Sequence, residues 1–194
     1  MSTKTFDNPR ALKSVLKSLS PAVEQSHDSV LTEMRLLRPV AQTVVSARTN
    51  PFNAAEFYRT RTGLYVCDTF ATHLNLRARK IVDSAPERPY VALLLKENAY
   101  DDDIRKELPE NHLSTLEDIA GFIETQSRGK PGLLHNNFWM NIFYVEGKNS
   151  EVFVAGVRWD PICCRWLVDD WELNKNGRWP AGRQIICPGT IVLL

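Results

Sequence analysis

From Asn137 onward the hydrophobic residues of this chain recur with a period of two, and this switch constrains the fold more than any other feature. Trp139–Val145, Val152–Trp159 and Cys164–Leu173 read as strands, with Arg183–Cys187 a shorter one. Between them lie turn formers: Glu146-Gly147-Lys148-Asn149, Trp159-Asp160-Pro161 and Asn174 to Gly177. Consecutive strands joined by tight turns are expected to pair as an antiparallel meander. Trp166 and Val168 alternate with Arg165 and Asp169, whereas Trp171 falls out of phase with Trp166. A β-bulge over Val168-Asp169-Asp170-Trp171 is the expected cause.

Upstream the period is helical. Pro9 suits a first helical position, and Leu12, Val15, Leu16 and Leu19 make one apolar stripe. Ser20 caps a second helix striped by Val23, His27, Val30, Leu31 and Met34, which Pro39 is expected to stop. Val40–Val45 and Leu64–Val66 read as short strands. Tyr90–Leu95, a continuous apolar run, reads as a strand buried on both faces. Asn53 to Glu56 has helix-capping spacing. Asp68 or Thr69 can cap a helix carrying Phe70, Leu74, Ala78 and Ile81. Ser114-Thr115-Leu116-Glu117 reads as a capping box for a helix burying Leu116, Ile119, Ala120 and Ile123. The pattern predicts an α+β fold in which N-terminal and central helices pack on a mainly antiparallel, Trp-rich C-terminal β-sheet. One domain over 1–194 is expected, with 1–38 as a possible helical appendage and 137–194 as the sheet region. The N-terminal stripe could also serve as a seam between copies of the chain.

A chain of 194 residues, 43% hydrophobic and 24% charged, can build a core without metal or disulfide. No window reaches 18 uninterrupted apolar residues, so no spanning helix is expected. A cytoplasmic location is expected, where Cys67, Cys163, Cys164 and Cys187 would be thiols. The formal net charge of +1 argues against a general electrostatic nucleic-acid binder, but not against a local basic face.

Three groups of residues could carry function. The first is aromatic and basic. Trp159, Trp166, Trp171 and Trp179 lie within a short stretch, interleaved with Arg158, Arg165, Arg178 and Arg183. Trp and Arg dominate interface hot spots, and aromatic rings with arginines also suit base stacking. The bland alternative is a sheet core with arginines snorkelling outward. The partner-binding set on this reading is Trp159, Trp166, Trp171, Arg178 and Trp179, and a nucleic acid could also engage Arg59, Arg61, Arg77, Arg79 and Lys80.

The second group is acidic. Between Glu97 and Glu124 nine Asp and Glu face two Arg and Lys, a net of −7. Asp101, Asp102, Asp103, Glu107 and Glu110 could dock a basic partner, or simply form a solvated helix start. No metal site is expected, because the run lacks the spacing of a calcium loop. The third is Cys67, placed before a helix N-terminus where a thiol pKa is lowered. With His73 or His135 as base it would be a candidate nucleophile, against the commoner role of a small core residue. No glycine-rich phosphate loop is present, and no cofactor is expected.

Phe57-Tyr58-Arg59-Thr60-Arg61-Thr62-Gly63-Leu64-Tyr65-Val66 with Phe70, and a terminal block of Asn137 to Tyr144, Trp166-Leu167-Val168, Gly177-Arg178-Trp179 and Gly182, form a second kind of signal. By pattern, these segments resemble small uncharacterised proteins of phages and integrated mobile elements. The resemblance implies an accessory or inhibitor protein that binds a host protein, and it brings no functional residues. The first expectation is therefore a non-enzymatic protein-binding module. A nucleic-acid binder using a Trp/Arg sheet surface is the second, and a small enzyme with Cys67 as nucleophile the third.

Overall fold

The computed structural model describes residues 34–77, 81–82, 84–174 and 177–190. The expected helices with stripes on Leu12 to Leu19 and Val23 to Leu31 lie outside these residues, as do Arg79 and Lys80. The chain runs β1 (Leu37–Val45), β2 (Phe52–Asn53), α1 (Ala54–Phe57), β3 (Leu64–Val66), α2 (Asp68–Arg77), β4 (Ile81–Val82), β5 (Arg88–Leu95), α3 (Asp101–Lys106) and α4 (Leu116–Thr125). Strands β6 (Asn141–Glu146), β7 (Val152–Asp160), β8 (Arg165–Glu172) and β9 (Gln184–Pro188) complete it.

Seven strands form one mixed sheet in the order β1-β5-β9-β6-β7-β8-β3, and β2 pairs with β4 apart from it. The α+β class holds, but the sheet is not confined to 137–194, because β1, β3 and β5 come from the first half. Nor is the terminal block a simple meander. β6, β7 and β8 follow one another antiparallel, whereas β9 returns to pair parallel with β6 and antiparallel with β5. β3 is parallel to β8. The pairings to β5 and β3 are long-range choices that strand periodicity does not encode.

Residues 37 and 38 belong to the sheet rather than to an appendage. Pro39 lies inside β1, opposite Leu93, with a register shift before Ala41. It is tolerated there because β1 is an edge strand, where a missing N–H costs least. The expected bulge at Val168 to Trp171 is absent, since β7 and β8 keep one register from Phe153↔Glu172 to Asp160↔Arg165. Trp171 is out of phase with Trp166 because the two rings belong to opposite faces, each with a core of its own. The capping box is also one residue later than expected. Thr115 accepts from the Asp118 amide, and the Asp118 carboxylate accepts from the Thr115 amide. Asn53 caps α1 as expected.

The first sheet face carries Tyr90, Ala92, Phe143, Val145, Ala155, Val157, Trp166 and Val168, packed under Leu116, Ile119, Phe122 and Ile123 of α4 and under Phe70 and Leu74 of α2. The second face carries Val91, Leu93, Ile142, Tyr144, Val154, Ile185 and Cys187. It is roofed by Ile104 and Leu108, in and just after α3, and by Trp179 from the loop before β9. No helix among the described residues is long and apolar enough to cross a membrane.

Candidate functional site

The roof over the second face covers only part of it. Asp101, the first residue of α3, is fully buried and acts as its anchor. Its carboxylate accepts from Tyr144 Oη at 2.9 Å, Trp179 Nε1 at 2.6 Å and the Asn174 amide at 2.9 Å. These bonds tie α3 and the 173–183 loop to the sheet. Burial, reinforced by the Asp101 charge, pushes the Tyr144 phenol far above its usual range, so it remains a donor. Glu107 likewise works internally, accepting from the Leu36 and Leu37 amides at 2.9 and 3.0 Å and fixing the start of β1. The expected acidic docking set is thus divided. Asp101 and Glu107 hold the fold, Asp102 bonds Asn174, Asp103 pairs with Lys106 at 3.0 Å, and Glu110 is exposed.

The tryptophans divide in the same way. Trp159 and Trp166 pack against each other on the first face, at 5.4 Å between ring centroids, and Trp166 Nε1 donates to the Gln126 carbonyl. Gly129 closes over them, since a Cβ there would lie 2.3 Å from the Trp159 ring. Trp171 and Trp179 meet edge to face at 5.3 Å under the roof. Trp159, Trp166 and Trp179 are buried and cannot form a docking face. Interior packing claims them because a chain this size fills its core with its largest apolar rings.

Trp171 and Met140 mark where the roof ends. Both lie against Gly156, whose missing side chain would come within 2.4 Å of the Trp171 ring and 2.7 Å of Met140 Sδ. Beyond Gly156, among the described residues, the second face carries an exposed Arg158 and half-buried Tyr65, Arg165, Leu167 and Asp169. The register sets Arg158, Leu167 and Tyr65 side by side across β7, β8 and β3. Arg165 lies two residues along β8 with its guanidinium 4.7 Å from the Tyr65 ring centroid, and Arg183 lies 4.7 Å from that of Trp139. Trp139 and its neighbour Phe138 are 42% and 46% exposed. Phe138 has φ +68°, an unusual backbone for a bulky residue. On the same side, Arg178 stacks 5.0 Å from the ring of Tyr100, the residue that caps α3.

Among the described residues no carboxylate lies within 4 Å of the guanidinium groups of Arg158, Arg165 or Arg183. Arg165 Nε and Arg183 Nε are buried without a hydrogen-bond partner in the protein. Partial burial and the neighbouring Arg158 charge lower the Arg183 pKa. Arg59 and Arg61 are used differently, folding back onto the carbonyls of Ala55 and Phe57.

Cys67 borders the open face beside Asp169, but not as an activated nucleophile. Burial, followed by the Asp169 charge and hydrogen bond, pushes its thiol up to about 11, which outweighs any helix N-terminal effect. His73 is engaged elsewhere, with Nδ1 2.7 Å from the buried Asp170 carboxylate. Asp169 and Asp170 alternate across β8, so the thiol and the imidazole are held by residues on opposite sheet faces. Burial lowers the His135 pKa. No three His, Cys, Asp or Glu side chains converge among the described residues.

A groove of about 450 Å³ lies between the end of β1 and α4. Thr43, Ser46, Thr49 and Thr125 line it. Its one guanidinium, Arg48, pairs with Glu124 at 2.7 Å, so the groove offers hydroxyls but no free charge. No protein-family model, curated protein or solved structure matches this chain.

Proposed function

We propose that the chain is a non-enzymatic binding module that captures an anionic partner on the open half of the second sheet face. The observation that carries this reading is the set of three arginines, Arg158, Arg165 and Arg183, on one sheet face, with no carboxylate among the described residues within 4 Å of their guanidinium groups. Arg158 lies close enough to Arg183 for its charge to lower the Arg183 pKa, and an anion bound beside them relieves that repulsion. Arg and Trp are also the residue types that dominate binding energy at interfaces. The pattern resemblance to mobile-element accessory proteins fits a chain that binds rather than catalyses.

The test is retention on an immobilised polyanion such as heparin at low salt. The wild type is expected to be retained and to elute as salt rises, and R158A/R165A/R183A to pass through unretained. Equal behaviour of the two proteins, or no retention of the wild type, would sink the reading.

A second reading, a host-protein partner, draws on exposed apolar groups. Phe138 and Trp139 rim the open face, and Ile162 stands 83% exposed at the tip of the β7–β8 hairpin. The outward-facing acids Asp102, Asp103 and Glu110 would then add a separate contact for a basic surface. An apolar, salt-insensitive complex lost in W139A and I162S would favour this reading over an anionic partner.

A further inference from the structure

The anion-binding reading leaves the partner's class open, and the way the arginines are held narrows it. An acidic polypeptide offers carboxylates, which need only the N–H edge of a guanidinium. Here each guanidinium also has a ring beside it. Arg165 lies over Tyr65, Arg183 over Trp139 and Arg178 over Tyr100, at 4.7, 4.7 and 5.0 Å from the ring centroids. A guanidinium held over a ring can offer its far side to a nucleobase, while its N–H edge stays available to a phosphate. A flat sheet surface with aromatic and arginine platforms at intervals suits a strand whose bases are unpaired, because a duplex hides its base faces.

Resting on the anion-binding reading, we infer that the partner is a single-stranded nucleic acid, its bases stacking on the Arg165–Tyr65 and Arg183–Trp139 platforms and its phosphates meeting Arg158 and the edges of Arg165 and Arg183. One further observation agrees. Arg158 and Arg183 are close enough for one charge to lower the other's pKa, and a phosphate beside them relieves that repulsion. Asp169 and Asp160 border the patch. Asp169 accepts from Thr69 and the Asp170 amide, and Asp160 from the Ile162 and Cys163 amides, so both acids are engaged locally.

The experiment is fluorescence anisotropy of the full chain with a labelled 16-nucleotide oligothymidylate. A duplex of equal length and poly-L-glutamate serve as competitors. Binding of the single strand is expected to weaken with salt, with a log–log slope of about −2 for three phosphates. R183K keeps the charge but loses the plane, so it is expected to lower affinity roughly five-fold or more with the slope little changed, as is W139A. Tighter binding of the duplex would overturn the inference, as would equal competition by poly-L-glutamate together with a neutral R183K. In both cases the anion-binding reading would stand. Failure of all three polyanions to bind would overturn both.

Discussion

One sheet face serves two ends. Over β5, β9 and β6 the second face is sealed by α3 and the 173–183 loop, and its residues are apolar and buried. Past Gly156, over β7, β8 and β3, the same face carries Arg158, Arg165 and Tyr65, exposed or half-buried among the described residues. Each half uses polar groups, but in opposite ways. In the sealed half the Asp101 charge is satisfied by three donors, from Tyr144 of β6 and from Asn174 and Trp179 beyond β8. In the open half the Arg165 and Arg183 guanidinium groups lie over rings, and their Nε atoms have no acceptor among the described residues. A buried charge with all its bonds made is structural, whereas a cation displayed without a counter-charge is available to a partner.

The contrast can be broken most severely at its anchor. D101A leaves the donors of Tyr144, Trp179 and Asn174 without an acceptor, and is expected to cost on the order of 3 kcal/mol or more in urea unfolding. A loss below about 1 kcal/mol would mean that the roof does not depend on this carboxylate. At the boundary, G156V drives a side chain into the space of the Trp171 ring and Met140. It is expected to cost about 1–3 kcal/mol and to alter the near-ultraviolet circular dichroism of the tryptophans.

Acid should loosen the sealed half first. His112 donates from Nδ1 to the Pro109 carbonyl at 2.8 Å and accepts at Nε2 from Arg105 Nε at 3.3 Å. Burial, with help from the Arg105 charge, lowers its pKa below 6.5, and burial does the same to His135. A folded-state pKa below the unfolded one means that the unfolded chain binds the proton more readily, so stability is lost as pH falls through 6.5. Unfolding midpoints are expected to drop between pH 7 and 5, and to drop less in H112Q.

Thiol reactivity makes a smaller distinction. At pH 8 Cys67, pushed up to about 11, and the buried Cys187, pushed up to about 12, are expected to react with a thiol reagent more slowly than exposed Cys164. Faster labelling of Cys67 would reopen its case as a nucleophile. Smallest of all should be the stability effect of R158A, within about 0.5 kcal/mol, because an exposed arginine without partners supports nothing in the fold.

The sequence was most legible where a pattern is local. The turns of the β6–β7–β8 segment, the Asn53 cap, the Tyr90 to Leu95 run and the buried stripe of α4 all follow from neighbouring residues. What was hidden depends on pairing at a distance. Nothing near Leu64 or Tyr90 says that β3 joins β8 in parallel or that β5 lies beside β9. The same limit explains the misplaced site. Trp159, Trp166 and Trp179 stood both as a docking set and as sheet core, because alternation tells two faces apart but not which one is covered. The phase of Trp171 was a real signal that a second covered face exists, and a bulge was the wrong reading of it. Asp101 looked like one acid of a solvated helix start, and only Tyr144 and Trp179, far along the chain, give it an interior role. The arginines were visible in sequence, but their platforms Tyr65, in β3, and Trp139, just before β6, are brought beside them by long-range pairing that the sequence does not state.

The division of the face is tested most directly by hydroxyl-radical footprinting of the full chain, free and with the 16-nucleotide oligothymidylate, read residue by residue by mass spectrometry. In the free protein Trp139, Met140 and Tyr65 are expected to be modified and Tyr144 and Trp179 to be protected. With the oligonucleotide, protection should spread to Trp139 and Tyr65 and leave the sealed half unchanged. Modification of Tyr144 and Trp179 in the free protein, or protection by the oligonucleotide that falls elsewhere and spares Trp139 and Tyr65, would contradict the division of this face into a structural half and a binding half.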